Sequence, residues 1–218
     1  QLPLKLSLLT LFIAGGGLLS LGVLVWTDTS RLLEEEALGR LQENVNQGRT
    51  LLGRAFDTVE GDLHLLRQSQ AITGLIRAIE GGGYDDQNNE TRKGWERRLQ
   101  LLFRTVMMQR HYYSQIRLIG LAERGRELVR TERQGGAVSA ISAGGLQEKG
   151  QYPYVLQAAT LLEGEVYYSD VTLNREQGRI VQPWEPMLRL STPVFDPHSG
   201  KPYGVVVVNI NFNHFTRP

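Results

Sequence analysis

Residues 113–130 read YSQIRLIGLAERGRELVR, and the hydrophobic period of the chain changes here. Upstream, apolar residues recur at helical spacing. From Gln115 they alternate: Ile116 and Leu118 against Gln115 and Arg117. Side chains of a strand point to opposite faces in turn, so this alternation predicts strands over 115–121 and 126–133, around a turn at Arg124-Gly125. Helices first and a sheet after them give an α+β fold.

The same reading continues to the C-terminus. Residues 137–152 are glycine-rich and irregular, and 154–162 form a short helix after Pro153. Further strands are expected over 165–173, 187–195 and 203–212, separated by turns at 174–178 and 196–201. Val205 to Val208 are continuously apolar, which predicts a central strand covered on both faces.

Before the sheet, residues 91–112 form an amphipathic helix, its apolar face set by Trp95, Leu99, Leu102, Phe103, Val106 and Met107. Residues 85–90 are a polar connection in which Asp85-Asp86 reads as solvated. Residues 27–80 contain no proline and predict one long helix, stopped by Gly81 to Gly83. Leu38, Val45, Leu52, Val59 and Leu66 recur every seven residues, and Leu41, Gly48, Ala55 with Phe56, and Leu63 fill the second position of the repeat imperfectly, a stripe of coiled-coil type. Near its start the stripe has no sheet to cover and fits a partner helix, so a homodimer through this helix is expected. Further on it covers the sheet.

Residues 6–26, LSLLTLFIAGGGLLSLGVLVW, carry no charged side chain. As a helix they would span roughly 31 Å, the thickness of a bilayer's hydrocarbon core. Trp26 sits where an interfacial aromatic belongs. The expectation is an uncleaved membrane anchor over 1–27, with a helical segment over 28–84 and an α+β module over 85–218 outside the cytoplasm. The rival reading is a cleaved signal peptide, whose apolar core is normally shorter.

Bulk numbers exclude several classes. With 24 basic and 23 acidic residues the net charge is +1, without the basic excess of a nucleic-acid binder. The absence of cysteine removes disulfides, thiolate metal sites and cysteine nucleophiles. His64, His111, His198 and His214 are far apart, and none has a partner at metal-ligand spacing. No phosphate-binding loop, dinucleotide fingerprint or nucleophile elbow stands at a strand-to-helix junction. Neither a cofactor nor a catalytic group is expected.

A long helix, a second helix and a five-stranded antiparallel sheet make a PAS-like domain. Residues 113–130, LQEK at 146–149, EGEVYYSDVTLN at 163–174, PMLRLSTPVF at 186–195 and GVVVVN at 204–209 occur in this order. Together they resemble the double-Cache (tandem PAS-like) periplasmic sensor regions of bacterial histidine kinases and diguanylate cyclases. The resemblance implies a distal sensor module in the periplasm, held in the bacterial inner membrane. It also implies a proximal module, a second span and an output domain beyond, so the chain is expected to be a fragment.

Alternation assigns faces within the sheet. Leu188, Leu190, Thr192 and Val194 form one set and Arg189, Ser191 and Pro193 the other. Apolar sets should face the helices, leaving Arg117 and Arg189 toward a cavity, with Arg130 beside them. Tyr154, Tyr168 and Trp184, with Tyr152 and Tyr167, lie in or beside the segments that would wall it. Arginine forks suit carboxylates and aromatics give apolar walls, so the expected ligand is a small organic anion such as a carboxylate. The competing expectations are internal pairing of Arg117 and Arg189 with Glu127, Glu132, Glu165 or Asp170, and a ligand-free dimerisation or protein-docking module.

Overall fold

A computed structural model describes residues 2–176, 179–180 and 182–215, with side chains at many positions before residue 38 outside the description. The chain divides into two compact units, residues 1–54 and 55–218.

Helix α1 (Leu2–Arg67) begins in the first unit. The expected anchor, 6–26, falls on it, partly on residues whose side chains lie outside the description. Among the described residues no helix is long and apolar enough to cross a membrane. The seven-residue stripe is open in the first unit: Leu38, Leu41 and Val45 are more than 60% exposed.

In the second unit the stripe turns inward, and Val59, Leu63 and Leu66 are fully buried. The single long helix expected to run to residue 80 is in fact two. α1 ends at Arg67, Ser69 takes an extended conformation, and α2 (Gln70–Glu80) follows. The break re-aims the chain so that Ile72, Leu75 and Ile76 also enter the core. Helix α3 (Arg92–Gln109) is capped by Thr91, whose hydroxyl accepts from the Gly94 amide at 3.1 Å. It buries Trp95, Leu99, Phe103 and Met107, each worth about 1.5–3 kcal/mol.

The connection between α2 and α3 is not solvated at Asp85, which is buried. Its carboxylate accepts two hydrogen bonds from Arg77 and one each from Trp95 Nε1 and Asn88, all at 3.0 Å. A charge out of water needs such partners, and with the Gln87 amide at 3.2 Å five donor atoms meet it. The Arg77 guanidinium, chiefly, with Asn88 and Trp95, holds this carboxyl down at about 2 against the opposing effect of burial.

The sheet has seven strands, not five. They are β1 (Tyr113–Gly120), β2 (Glu127–Gln134), β3 (Ala137–Ala140), β4 (Tyr167–Tyr168), β5 (Thr172–Leu173), β6 (Pro186–Phe195) and β7 (Pro202–Asn211). The order is β3-β2-β1-β7-β6-β4, with β5 also on β6, and every pairing is antiparallel. Strand β7 is central, and Val205 to Val208 are fully buried, as their apolar run requires.

Two differences account for the extra strands. Gly135 and Gly136, at φ 54° and 90°, close a two-residue hairpin between Gln134 and Ala137, so the segment read as irregular starts with β3. The strand expected over 165–173 splits into β4 and β5. Between them the Ser169 hydroxyl takes the Arg189 amide hydrogen at 2.9 Å, a side chain replacing a backbone rung.

The helices cover one face of the sheet. Ile116, Leu118, Val129, Leu188, Leu190, Val194, Val206 and Val208 pack there with the buried residues of α1, α2 and α3. On the opposite face Ile119, Val205 and Val207 pack under Tyr154, Val155 and Ala158, from the segment that crosses above them.

Candidate functional site

On that opposite face, register stacks polar residues in two adjacent rungs. One runs Glu132, Gln115, Asn209, Arg189; the next runs Arg130, Arg117, Val207, Ser191, Tyr167. The side chains bond along the first rung and across to the second. Arg117 Nη2 donates to Asn209 Oδ1 at 2.7 Å, Asn209 Nδ2 to Gln115 Oε1 at 3.1 Å, and Gln115 Nε2 to Glu132 Oε2 at 3.4 Å. Arg117 also pairs with Glu127 at 3.5 Å.

Tyr154 is the roof. A short helix, α4 (Pro153–Leu156), starts with proline at its first position and carries it. The Ser191 hydroxyl donates to the Tyr154 carbonyl at 2.7 Å, and Arg117 Nη1 donates to the Tyr154 hydroxyl at 3.3 Å. Two guanidinium carbons lie near its ring, Arg117 Cζ at 5.2 Å from the centroid and Arg189 Cζ at 5.5 Å. Tyr152 stacks on Tyr154 at 5.5 Å, and Lys149 Nζ lies 5.2 Å from the Tyr152 ring. Three cations thus line an aromatic pair, each contact of cation–π type. Arg189 is oriented by Thr172, whose hydroxyl accepts from Nη1 at 2.8 Å.

Beside this cluster opens a cavity of about 370 Å³, walled by Arg117, Arg189, Tyr152, Tyr154, Tyr167 and Asp170 among others. That volume is within the range of small-molecule sites. Among the described residues no cluster of histidine and carboxylate side chains could hold a metal.

Residues 64–217 match the family model of the bacterial histidine kinase sensor domain. The chain belongs to this family. The sensor domain resembles two solved structures in fold. A domain of a sensory box/GGDEF family protein from Vibrio parahaemolyticus superposes with a TM-score of 0.63 at 23% identity, covering 81% of this chain and 59% of that one. An extracellular domain assigned to a histidine kinase, vpHK1S-Z8, superposes with a TM-score of 0.65 at 22% identity, covering 83% and 58%. The chain therefore spans under two thirds of the length of either. No curated protein matches it.

Of the seven residues singled out from the sequence, the sensor domain brings Arg117, Tyr154 and Arg189 together at the cavity. Ser191 lies beneath, fully buried, holding the Tyr154 backbone. Arg130 sits one strand away between Glu127 (3.2 Å) and Glu132 (3.0 Å) and is not among the cavity's lining residues. Tyr168 points to the helix face, where its hydroxyl donates to Glu60 and its ring meets Phe56 edge-on. The side alternates along β4, so Tyr167 reaches the cavity and Tyr168 cannot. Trp184 is 67% exposed and lines no part of the cavity. Of the pairings weighed from sequence, Arg117 with Glu127 is formed. Asn209, Lys149 and Thr172 were not singled out. Asn209 was findable: it follows four valines at the parity of Val205 and Val207, a polar residue on the cavity face of an apolar strand.

Proposed function

We propose that this sensor domain is the extracytoplasmic input of a membrane-bound receptor of histidine kinase type and that it binds a small organic anion between Arg117, Arg189 and Tyr154. The observation that carries the reading is the convergence of two guanidinium groups on one tyrosine ring beside a cavity of about 370 Å³. A planar carboxylate meets a guanidinium with two parallel hydrogen bonds, and the tyrosine pair receives the organic body. The anchor is read from the uncharged stretch 6–26, and a homodimer from the exposed stripe of Leu38, Leu41 and Val45 on α1. Ligand binding would bias the position of α1, which is one helix from Leu2 to Arg67, and a ligand shifts such an equilibrium only by its differential affinity for the two states.

The test is a thermal-shift screen of the chain against small carboxylates, amines and sugars. A ligand bound only by the folded state must raise the melting temperature. The expected result is a saturating rise with carboxylates, lost in Arg189→Ala. A rise with none of the panel, or one that Arg189→Ala leaves unchanged, overturns the ligand reading. The module would then serve dimerisation or protein docking, the reading favoured by the internal pairing of Arg117 with Glu127.

A further inference from the structure

A second cavity, of about 410 Å³, opens where the end of α2, the first turns of α3 and the turn between β1 and β2 meet. It shares no lining residue with the first. Ile79, Leu121, Leu128, Ile141, Leu146 and the Tyr203 ring give it apolar walls, beside the polar side chains of Arg92, Glu96, Gln100, Glu123, Arg126 and Glu127. Burial pushes the Tyr203 phenol up from its ordinary value, so this ring stays neutral.

Of the charged side chains lining the cavity, Glu123 on the rim and Arg126 in the wall have no ion pair among the described residues. Glu96 is paired with Arg92 at 2.8 Å. Glu127 is held from behind by Arg117 and Arg130 and accepts from the Gln147 amide at 3.0 Å. Glu123 stands on the exposed rim. Arg126 is half-buried in the wall, and its guanidinium has no ion pair or side-chain hydrogen bond among the described residues. A cation partly withdrawn from water gains most from an anion delivered to it, and its planar fork fits a carboxylate.

We propose that this cavity is a second ligand site, for an amphiphilic carboxylate whose hydrocarbon body fills the space between α2, α3 and the β1–β2 turn and whose head group pairs with Arg126. The proposal stands whether or not the first cavity binds a ligand.

Photo-crosslinking tests it on the whole chain with a diazirine-bearing decanoate, followed by mapping of the labelled peptides. Labels are expected on peptides containing Ile79, Leu121, Leu128 or Leu146, displaced by unlabelled decanoate but far less by decanol or decylammonium. Loss of one charge-assisted hydrogen-bonded contact weakens binding roughly ten- to a hundredfold, so Arg126→Gln should raise the competing decanoate concentration and cut labelling on that scale. Ala122→Trp, a substitution on an exposed lining residue, should block the mouth without touching Arg126. Arg189→Ala, which disables the first cavity, should leave the labelling pattern in place. Labels confined to residues 149–175, labelling unchanged in Arg126→Gln, or equal displacement by decylammonium would each overturn the proposal.

Discussion

The Tyr113 hydroxyl donates to Asp62 Oδ2 across 2.8 Å, joining the first residue of β1 to α1. The same carboxylate takes two hydrogens from Arg110, at 2.8 and 3.3 Å. Strand β1 carries Arg117 four residues on, so the strand that faces the cavity is fastened directly to the helix. Removing the hydroxyl in Tyr113→Phe should cost about 1–2 kcal/mol of unfolding free energy, read by urea titration.

The same residue makes a pH prediction. Burial first, and then the Asp62 charge, push the Tyr113 phenol far above its ordinary value of 10. The folded chain therefore keeps a proton that the unfolded chain releases. This contribution is intact below pH 10 and is lost as pH rises beyond it. Stability measured from pH 9 to 11 should fall, and fall less steeply in Tyr113→Phe.

Asp85 predicts the opposite, acid limb. Its folded carboxyl titrates at about 2 and its unfolded one near 3.8. Its stabilising effect is full above the unfolded value and disappears as pH falls toward 2. Asp85→Ala leaves the part-buried Arg77 and the Trp95 Nε1 hydrogen without their acceptor, which should cost about 2–4 kcal/mol, below the full cost of breaking a wholly buried pair. A melting curve of Asp85→Ala within error of the parent would refute this account of the α2–α3 connection.

For a carboxylate found by the thermal screen, Arg189→Ala should weaken binding by roughly ten- to a hundredfold, as for loss of a charge-assisted contact. Thr172→Val, which only frees the Arg189 side chain to reorient, should weaken it less while leaving the melting temperature of the unliganded chain nearly unchanged. Calorimetric titration distinguishes the two.

The chain contains no cysteine, so Leu41→Cys introduces the sole thiol. Oxidation in membranes should give a disulfide-linked dimer through the exposed stripe of α1. Adding Val45→Glu should abolish the crosslink, because a charge in a coiled-coil seam is desolvated without a partner. Equal crosslinking with and without Val45→Glu would exclude this face as the seam.

Strand parity carried most of what the sequence disclosed. The alternation of Leu188, Leu190 and Val194 against Arg189 and Ser191 assigned the two faces of β6, and the valines of β7 located the centre of the sheet. Parity failed where the strand itself broke. The pattern over 165–173 predicts one strand, where Ser169 instead supplies a side-chain rung; the opposite facing of Tyr167 and Tyr168 follows from their register with Ser191 and Leu190. The hairpin at Gly135-Gly136 had a local signal that the surrounding glycine-rich composition obscured. The break at Ser69 had none, because the apolar pattern runs through it and only tertiary packing favours the bend. Asp85 looked solvated since its partners, Arg77 and Trp95, come from two different helices.

The cavity wall on the β6 side hangs on very little backbone. Strand β4 meets β6 at two positions, Tyr167 with Ser191 and Tyr168 with Leu190, and β5 at two more. The central ladder between β6 and β7 runs through nine paired positions. Amide hydrogen exchange should therefore be graded, fast from Tyr167 to Leu173 and slowest along β7, since short edge segments open at far lower free energy than a core strand. If the first cavity takes a ligand as proposed, entry would require only these four edge pairings to part, leaving in place the long-paired strands that bear Arg117 and Arg189.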